Sequence, residues 1–249
     1  MIRLLSIYYF HKTVHRIPDK YHDILTQYNS YYADLNENLQ QRFRKRVFIT
    51  NKFLTYVPHR FTEVTETMKI IIASALIQIT FGLKLYSFTK FNRIYIVPYD
   101  SYNFAQYKNI VGHVDFRANI ITLSWPCVKS GFIIPDDAIN VALHEVAHAI
   151  QEENKMVKLS AEFFHQYDLE EWEREAIKKY AIINAKEHKF LKSYGGTNMR
   201  EMFAVCVEAF FEQPEEFKVK LPELYQTMVN LFKQDPTIKG HPPLNWSEG

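Results

Sequence analysis

Glycine is scarce in this chain, with seven among 249 residues, and cysteine scarcer still, with Cys127 and Cys206 alone. Neither cysteine has a second one at metal-binding spacing, and two thiols make no disulfide framework. A disulfide-stapled scaffold and a cysteine-based zinc site are therefore excluded. Both thiols lie among apolar residues, which assigns them to core packing and fits a reducing, cytoplasmic location. Charge of one sign is lacking too. A net charge of +2 demands neither nucleic acid nor an acidic membrane as partner. The basic cluster Arg42, Arg44, Lys45 and Arg46 is short, is interrupted by Phe43, and reads as a solvated helix face. Long apolar runs are absent. The longest, Ile70 to Leu83, contains Gln78 and Thr80 and is bounded by Lys69 and Lys84. It falls short of the roughly 20 residues that span a bilayer, so it reads as a buried core helix and no membrane contact is expected. Residues Met1 to Phe10 are too few for a secretory signal, and there is no internal repeat or low-complexity tract.

The hydrophobic share of 47% and the aromatic share of 15% supply a sizeable core, enough for one large domain with a helical N-terminal lobe. Lys20 to Leu54 reads as helices broken near Pro58, and Phe61 to Phe81 as a long helix that turns very apolar in its second half. Arg93 to Tyr99 is a strand by its β-branched and aromatic content. Val111 to Trp125 holds two more strands, turned at Asp115 to Asn119. An Asp of the Pro135-Asp136-Asp137 segment is expected to cap a helix that runs to about Glu153. Leu169 to Lys192 is a polar helical stretch. Tyr194 to Thr197 forms a turn, and Asn198 to Glu201 has the form of a capping box that opens a helix to Glu212. A last helix follows from Pro222 to Phe232. The arrangement is α+β and mainly helical with a small antiparallel sheet. Residues 1–60 form a helical segment packed on a main domain at 61–236, and 237–249 form a tail.

Within the expected helix stands His144-Glu145-Val146-Ala147-His148. Residues four apart share a helix face, so both imidazoles reach one cation, and the glutamate after the first histidine sits beside it. Zinc held this way lowers the pKa of a bound water to about 7, and Glu145 is placed to accept its proton. The motif lies between Val141, Ala142 and Leu143 on one side and Ala149 and Ile150 on the other. Two histidines and a glutamate in such a segment are costly to bury without a partner.

A third protein ligand is needed. Gln151 and Asn154 stand where a third-histidine motif would need Gly and His, so that class is excluded. Asp168 lies about 20 residues on, among the exposed-looking Glu170, Glu171 and Glu173. Glu208 is the stronger candidate, because its helix is apolar nearly all round and a carboxylate inside it must be paired or bind a cation. Glu201, seven residues earlier, is explained by the capping box, with a supporting role still open. Glu212, at the helix end, reads as solvated.

These residues carry a family likeness. The stretch ITLSWPCVKSG, then PDDAINVALHEVAHAIQ, then YGGTNMREMFAVCVEAFFEQPEEF and LYQTMVNLFKQDP, resembles the Mlc titration factor A family of zinc-dependent peptidases over about residues 40 to 236. Val146-Ala147 replaces a common Phe-Ala, and Ile150-Gln151 a Leu-Asp pair, with no catalytic group lost. The resemblance implies a zincin-type fold akin to the catalytic domain of anthrax lethal factor. It also implies one zinc on two histidines and a distal glutamate in the gluzincin manner, that glutamate being Glu208 of the E-x-F-F segment. It further implies aminopeptidase-like activity on small peptides. The family's founding member also binds a glucose repressor, a partner that no surface of this sequence identifies.

The mechanism expected is hydrolysis, with Glu145 as base and then as acid to the leaving amine. Tyr194 is a candidate second donor to the oxyanion, a turn tyrosine packed on the core being the simpler reading. A strand near Ile120 to Ser124 is expected to pair with an extended peptide. The rival class is a binding protein that sequesters a regulator, with zinc closed in a four-ligand structural site.

Overall fold

The computed structural model describes residues 2–60, 63–98, 101–103, 108–156, 162–184, 190, 191, 197–238 and 240. The chain opens with four helices: α1 (Ile2–Thr13), α2 (Lys20–Tyr28), the short α3 (Ser30–Ala33) and α4 (Glu37–Phe53). A strand β1 (Thr55–Pro58) leads to α5 (Glu66–Thr80) and then to β2 (Arg93–Val97). After a small hairpin of β3 (Ser101–Asn103) and β4 (Lys108–Ile110) come β5 (Gly112–Asp115) and β6 (Ile120–Ser124). The second half is helical: α6 (Trp125–Ile133), α7 (Val141–Met156), α8 (Gln166–Asn184), α9 (Met199–Glu212), α10 (Pro214–Lys220) and α11 (Pro222–Phe232). A proline at the first helical position starts both α10 and α11, where its missing N–H costs nothing.

The main sheet is ordered β1-β2-β6-β5. It is mixed, which corrects the antiparallel sheet expected from the sequence. β1 runs parallel to β2 and β2 parallel to β6, while only β5 opposes β6, with Gly112 facing Leu123. The hairpin was legible because four residues join its strands, and a short turn forces antiparallel pairing. The parallel pairs are joined through long connections, α5 among them, and nothing in a strand's own pattern records its direction. β1 escaped notice because it is four residues long and only half-buried. Pro58 closes this edge strand, where a missing donor is tolerated.

α5 is buried along almost its whole length, from Met68 to Thr80, as its all-round apolar pattern predicts. Its polar members are satisfied: Asn29 Nδ2 donates to Ser74 Oγ at 3.1 Å and to Gln78 Oε1 at 3.2 Å. The carbonyls at its C-terminal end are met by Arg46, whose guanidinium donates to Thr80, Phe81 and Leu83 at 3.1, 2.9 and 3.0 Å. Arg46 is buried, and Arg44 donates to Tyr32 Oη at 2.6 Å. The basic cluster is thus absorbed into the packing of α4 rather than left as the solvated face its composition implied. One apolar cluster extends from Ile7 to Phe232, so the first and last helices share a core. Among the described residues, no helix is long and apolar enough to cross a membrane.

α7 is held at both ends. At its start, Asn140 Oδ1 accepts from Leu143 N at 3.2 Å. Asn140 is therefore the cap, and the expected aspartate is not: Asp137 Oδ1 accepts from Ile139 N at 2.8 Å within its own turn. Near its end, Glu153 is fully buried. Its carboxylate accepts from Thr89 N, from Thr89 Oγ1 at 2.6 Å, and from Lys90 N and Phe91 N at 3.1 and 3.2 Å. That grip fixes the helix against the segment that enters β2. Glu153→Ala strands three N–H groups, that of Phe91 buried, and a hydroxyl, and urea denaturation is expected to show a loss of about 3–5 kcal/mol. A loss under about 1 kcal/mol would mean that water replaces the carboxylate freely.

Candidate metal centre

His144 and His148 lie one turn apart on α7 and present their Nε2 atoms to each other at 3.1 Å, the rings nearly perpendicular at 87°. Facing them is Glu201 in the first turn of α9. Its Oε2 lies 3.2 Å from His144 Nε2 and 3.4 Å from His148 Nε2. Among the described residues, these three form the one cluster of His, Cys, Asp and Glu donors close enough to hold a metal. The triangle has a physical reading. A tetrahedral site with arms of about 2.0–2.1 Å has donor-to-donor edges of about 3.3–3.4 Å, and the observed sides of 3.1, 3.2 and 3.4 Å match it. Two neutral imidazoles gain little from facing each other nitrogen to nitrogen, whereas a shared cation makes that geometry favourable. His148 Nδ1 is buried without a hydrogen-bond partner among the described residues. The donor set therefore fits a metal.

Glu208 occupies a different place from the one expected of a third ligand. Two turns beyond Glu201 on the same face of α9, it packs its Oε1 closely against His144 Nδ1, the ring nitrogen turned away from the cluster. Its Oε2 accepts from the backbone N–H of Asn140 at 3.3 Å, where α7 begins. The burial argument identified a carboxylate that must be paired but could not say which nitrogen it meets. Glu201 was missed because the capping box gave its carboxylate a sufficient role. In the structure Asn198 caps α9 through its own Oδ1, accepting from Arg200 N and Glu201 N at 3.0 Å each, and the Glu201 carboxylate turns to the histidines. A signal was present in the spacing: two carboxylates seven apart on one helix facing two histidines four apart on another.

The other sequence candidates lie as follows. Asp168 pairs with Lys233 Nζ at 2.7 Å. Tyr194 lies outside the described residues. Glu212 is not simply solvated: its Oε2 is buried without a hydrogen-bond partner among the described residues, and its carboxyl is pushed up to about 8, by burial first and then by Glu208 and Asp137. Glu145, 6% exposed, lies under β5. A Cβ added at Gly112 would come within 2.6 Å of Glu145 Cγ and Val141 Cγ2 and 2.7 Å of Glu145 Oε1. The strand backbone passes directly over the Glu145 carboxylate only because residue 112 has no side chain.

The electrostatics couple the five groups. Burial alone would depress His144, but hydrogen bonds from Glu201 and Glu208 outweigh it and raise the ring to about 10. Burial opposes the ionisation of Glu201, yet its bonds to both histidines win and hold it down at about 2. His148 is lowered, mainly by burial. Glu145 is raised to about 7, by burial first and by the charges of Glu201 and Glu208, with His144 opposing. The metal-free cluster therefore keeps a proton on His144, in the place a cation would take.

Comparison with known proteins agrees with this geometry. A profile of the family described as glucose-regulated metallo-peptidase M90 matches residues 10–233. An uncharacterised protein of Synechocystis is 21% identical over 238 residues, 89% of this chain and 86% of that protein. Mlc titration factor A of Edwardsiella ictaluri is 27% identical over 122 residues, 47% of this chain and 46% of the relative. The same factor from Salmonella arizonae is 28% identical over 126 residues, 47% and 48%. The chain thus spans about half the length of these two relatives. The match over nearly the whole chain decides the matter: the chain belongs to the glucose-regulated metallo-peptidase M90 family.

Proposed function

We propose that this protein is a zinc-dependent peptidase in which His144, His148 and Glu201 hold the metal and Glu145 moves the proton. The observation that carries the reading is the triangle of two Nε2 atoms and one carboxylate oxygen at tetrahedral spacing. Two imidazoles and one carboxylate suit zinc better than magnesium or calcium, which favour all-oxygen sets. When bound, zinc supplies Lewis-acid polarisation of the scissile carbonyl and acidifies the attacking water. Glu145 accepts the proton of that water and returns it to the leaving amine. Glu208 accepts from His144 Nδ1, which fixes the tautomer that leaves Nε2 free to ligate. Among the described residues only three donor atoms converge. This favours an open fourth position over the closed four-ligand site that the regulator-sequestering alternative requires.

The substrate is an extended peptide. β6 is flanked by β2 and β5 and has no free edge, so the strand offered for pairing is β5, not β6 as the sequence indicated. Aminopeptidase-like action on small peptides and a fold akin to the lethal factor catalytic domain are the finer expectations that the family resemblance adds, and a cytoplasmic location is the one that cysteine usage adds. Neither Cys127 nor Cys206 is in a disulfide, which supports the location. The test is metal content and turnover together. Purified protein is expected to carry about one zinc per chain, to lose peptide hydrolysis on chelation and to regain it with zinc but not magnesium. No metal after zinc is supplied would end the reading.

Two further outcomes follow from the site. The metal must displace the proton of His144, whose ring titrates near 10 in the metal-free protein. Below that pH, apparent zinc affinity is expected to rise about tenfold per pH unit, with proton release measurable by calorimetry in buffers of different ionisation enthalpy. A flat affinity between pH 6 and 8 would mean that His144 is already neutral. Gly112→Ala forces a methyl against Glu145 and is expected to lower kcat about 10- to 100-fold with zinc content unchanged. Unchanged kcat would show that the strand gives way instead.

A further inference from the structure

Arg200 stands beside the metal cluster, and neither the hydrolytic mechanism nor the packing of α9 uses it. It is the second residue of α9, where the helix dipole favours an anion and a cation is held at a cost. Its guanidinium lies over the ring of Phe116 at 4.1 Å, and one edge reaches Glu152 Oε2 at 3.6 Å. The side chain is nevertheless 40% exposed. Contact with the ring face restrains the guanidinium, and the exposed part of the side chain keeps donors within reach of a ligand.

The position of this cation along the cleft follows from two elements. On β5 and its turn, Gly112 lies over Glu145, and Phe116 follows four residues later, about 13 Å along an extended chain. On α7, Glu152 follows Glu145 by two turns, about 10 Å. Arg200 joins Phe116 to Glu152, so floor helix and edge strand run in the same direction away from Glu145 and Arg200 closes that end. A peptide paired with β5 and cleaved beside Glu145 places the residue about three positions from the scissile bond against this guanidinium.

We propose that Arg200 determines specificity by binding a carboxylate of the peptide substrate about three residues from the scissile bond. Resting on the peptidase reading above, it names the class of peptide that reading leaves open. The carboxylate has two sources, an Asp or Glu side chain or a free C-terminus, and one set of substrates separates them. The probes are quenched fluorescent alanine-rich peptides in which a single Glu is moved position by position against a Gln control, each made as the C-terminal acid and as the amide. In the zinc-loaded wild type, one Glu position or the free acid is expected to raise kcat/KM about 10- to 100-fold over its neutral partner, through KM. That ratio is expected to shrink in 0.5 M salt. Arg200→Ala is expected to bring the ratio to near one, and Arg200→Lys to keep part of it, with zinc content measured in each variant. Peptides cleaved without preference for a carboxylate, or a preference that survives Arg200→Ala, would overturn the role of Arg200 and leave the peptidase reading standing. No cleavage of any peptide by zinc-loaded protein would overturn both.

Discussion

Exchange of Glu145 for Gln is expected to leave about one zinc per chain and to lower kcat for peptide hydrolysis about 1,000-fold. Two properties of the site set the size of this effect. Glu145 is the carboxyl lying beneath β5 at Gly112, which holds it at the side of the cleft where the peptide is proposed to pair. Burial and the neighbouring carboxylates bring it to about 7 in the metal-free protein, which suits a group that must both accept and donate a proton near neutrality. Gln keeps the shape but carries no proton between water and amine. The donors proposed to hold the metal are His144, His148 and Glu201, and the exchange alters none of them. Metal analysis and turnover on one preparation check the point. Zinc lost together with activity would mean that Glu145 supports the cluster, and turnover within tenfold of wild type would give the proton transfer to another group.

The parts of this molecule legible in sequence are those whose cause is local. The apolar composition of α5, the β-branched content of β2 and β6, and the proline that opens α11 each act within a few residues. The histidine pair was legible for the same reason, since a spacing of four on one helix fixes both rings. What failed depended on partners distant in the chain. The direction of β1 and β2 relative to β6 is set by how connections pass over the sheet. The choice of Asn140 over Asp137 as the cap of α7 is set by a competing turn that holds Asp137. The division of labour between Glu201 and Glu208 was hidden for a related reason. Both lie on one face of α9, and which ring nitrogen each meets depends on how α9 crosses α7. From 201 to 208 that face passes from the Nε2 pair to the start of α7 at Asn140, so the two helices run in opposite senses.

That crossing leads to a comparison the two carboxylates must pass. Glu201→Ala removes the oxygen that sits 3.2 and 3.4 Å from the two Nε2 atoms, and zinc affinity is expected to fall about 1,000-fold, a one-ligand share of a three-ligand site. Glu208→Ala leaves the three donors in place and removes the acceptor behind His144 Nδ1 together with the one that meets Asn140 N. Affinity is then expected to fall about 10- to 100-fold, the scale at which groups that orient a ligating histidine act. The proton balance separates the two further. Glu201 and Glu208 both hold up the pKa of His144 in the metal-free protein, so either change lowers proton competition and offsets part of the loss below pH 7. The difference between the variants should therefore be read near pH 10 and above, where that offset fades. If Glu208→Ala proved the more damaging of the two there, the distal carboxylate would be the ligand and α9 would have to shift along α7 when the metal enters. If Glu201→Ala is the more damaging, the metal occupies the position already outlined by the three donors and α9 stays where it is.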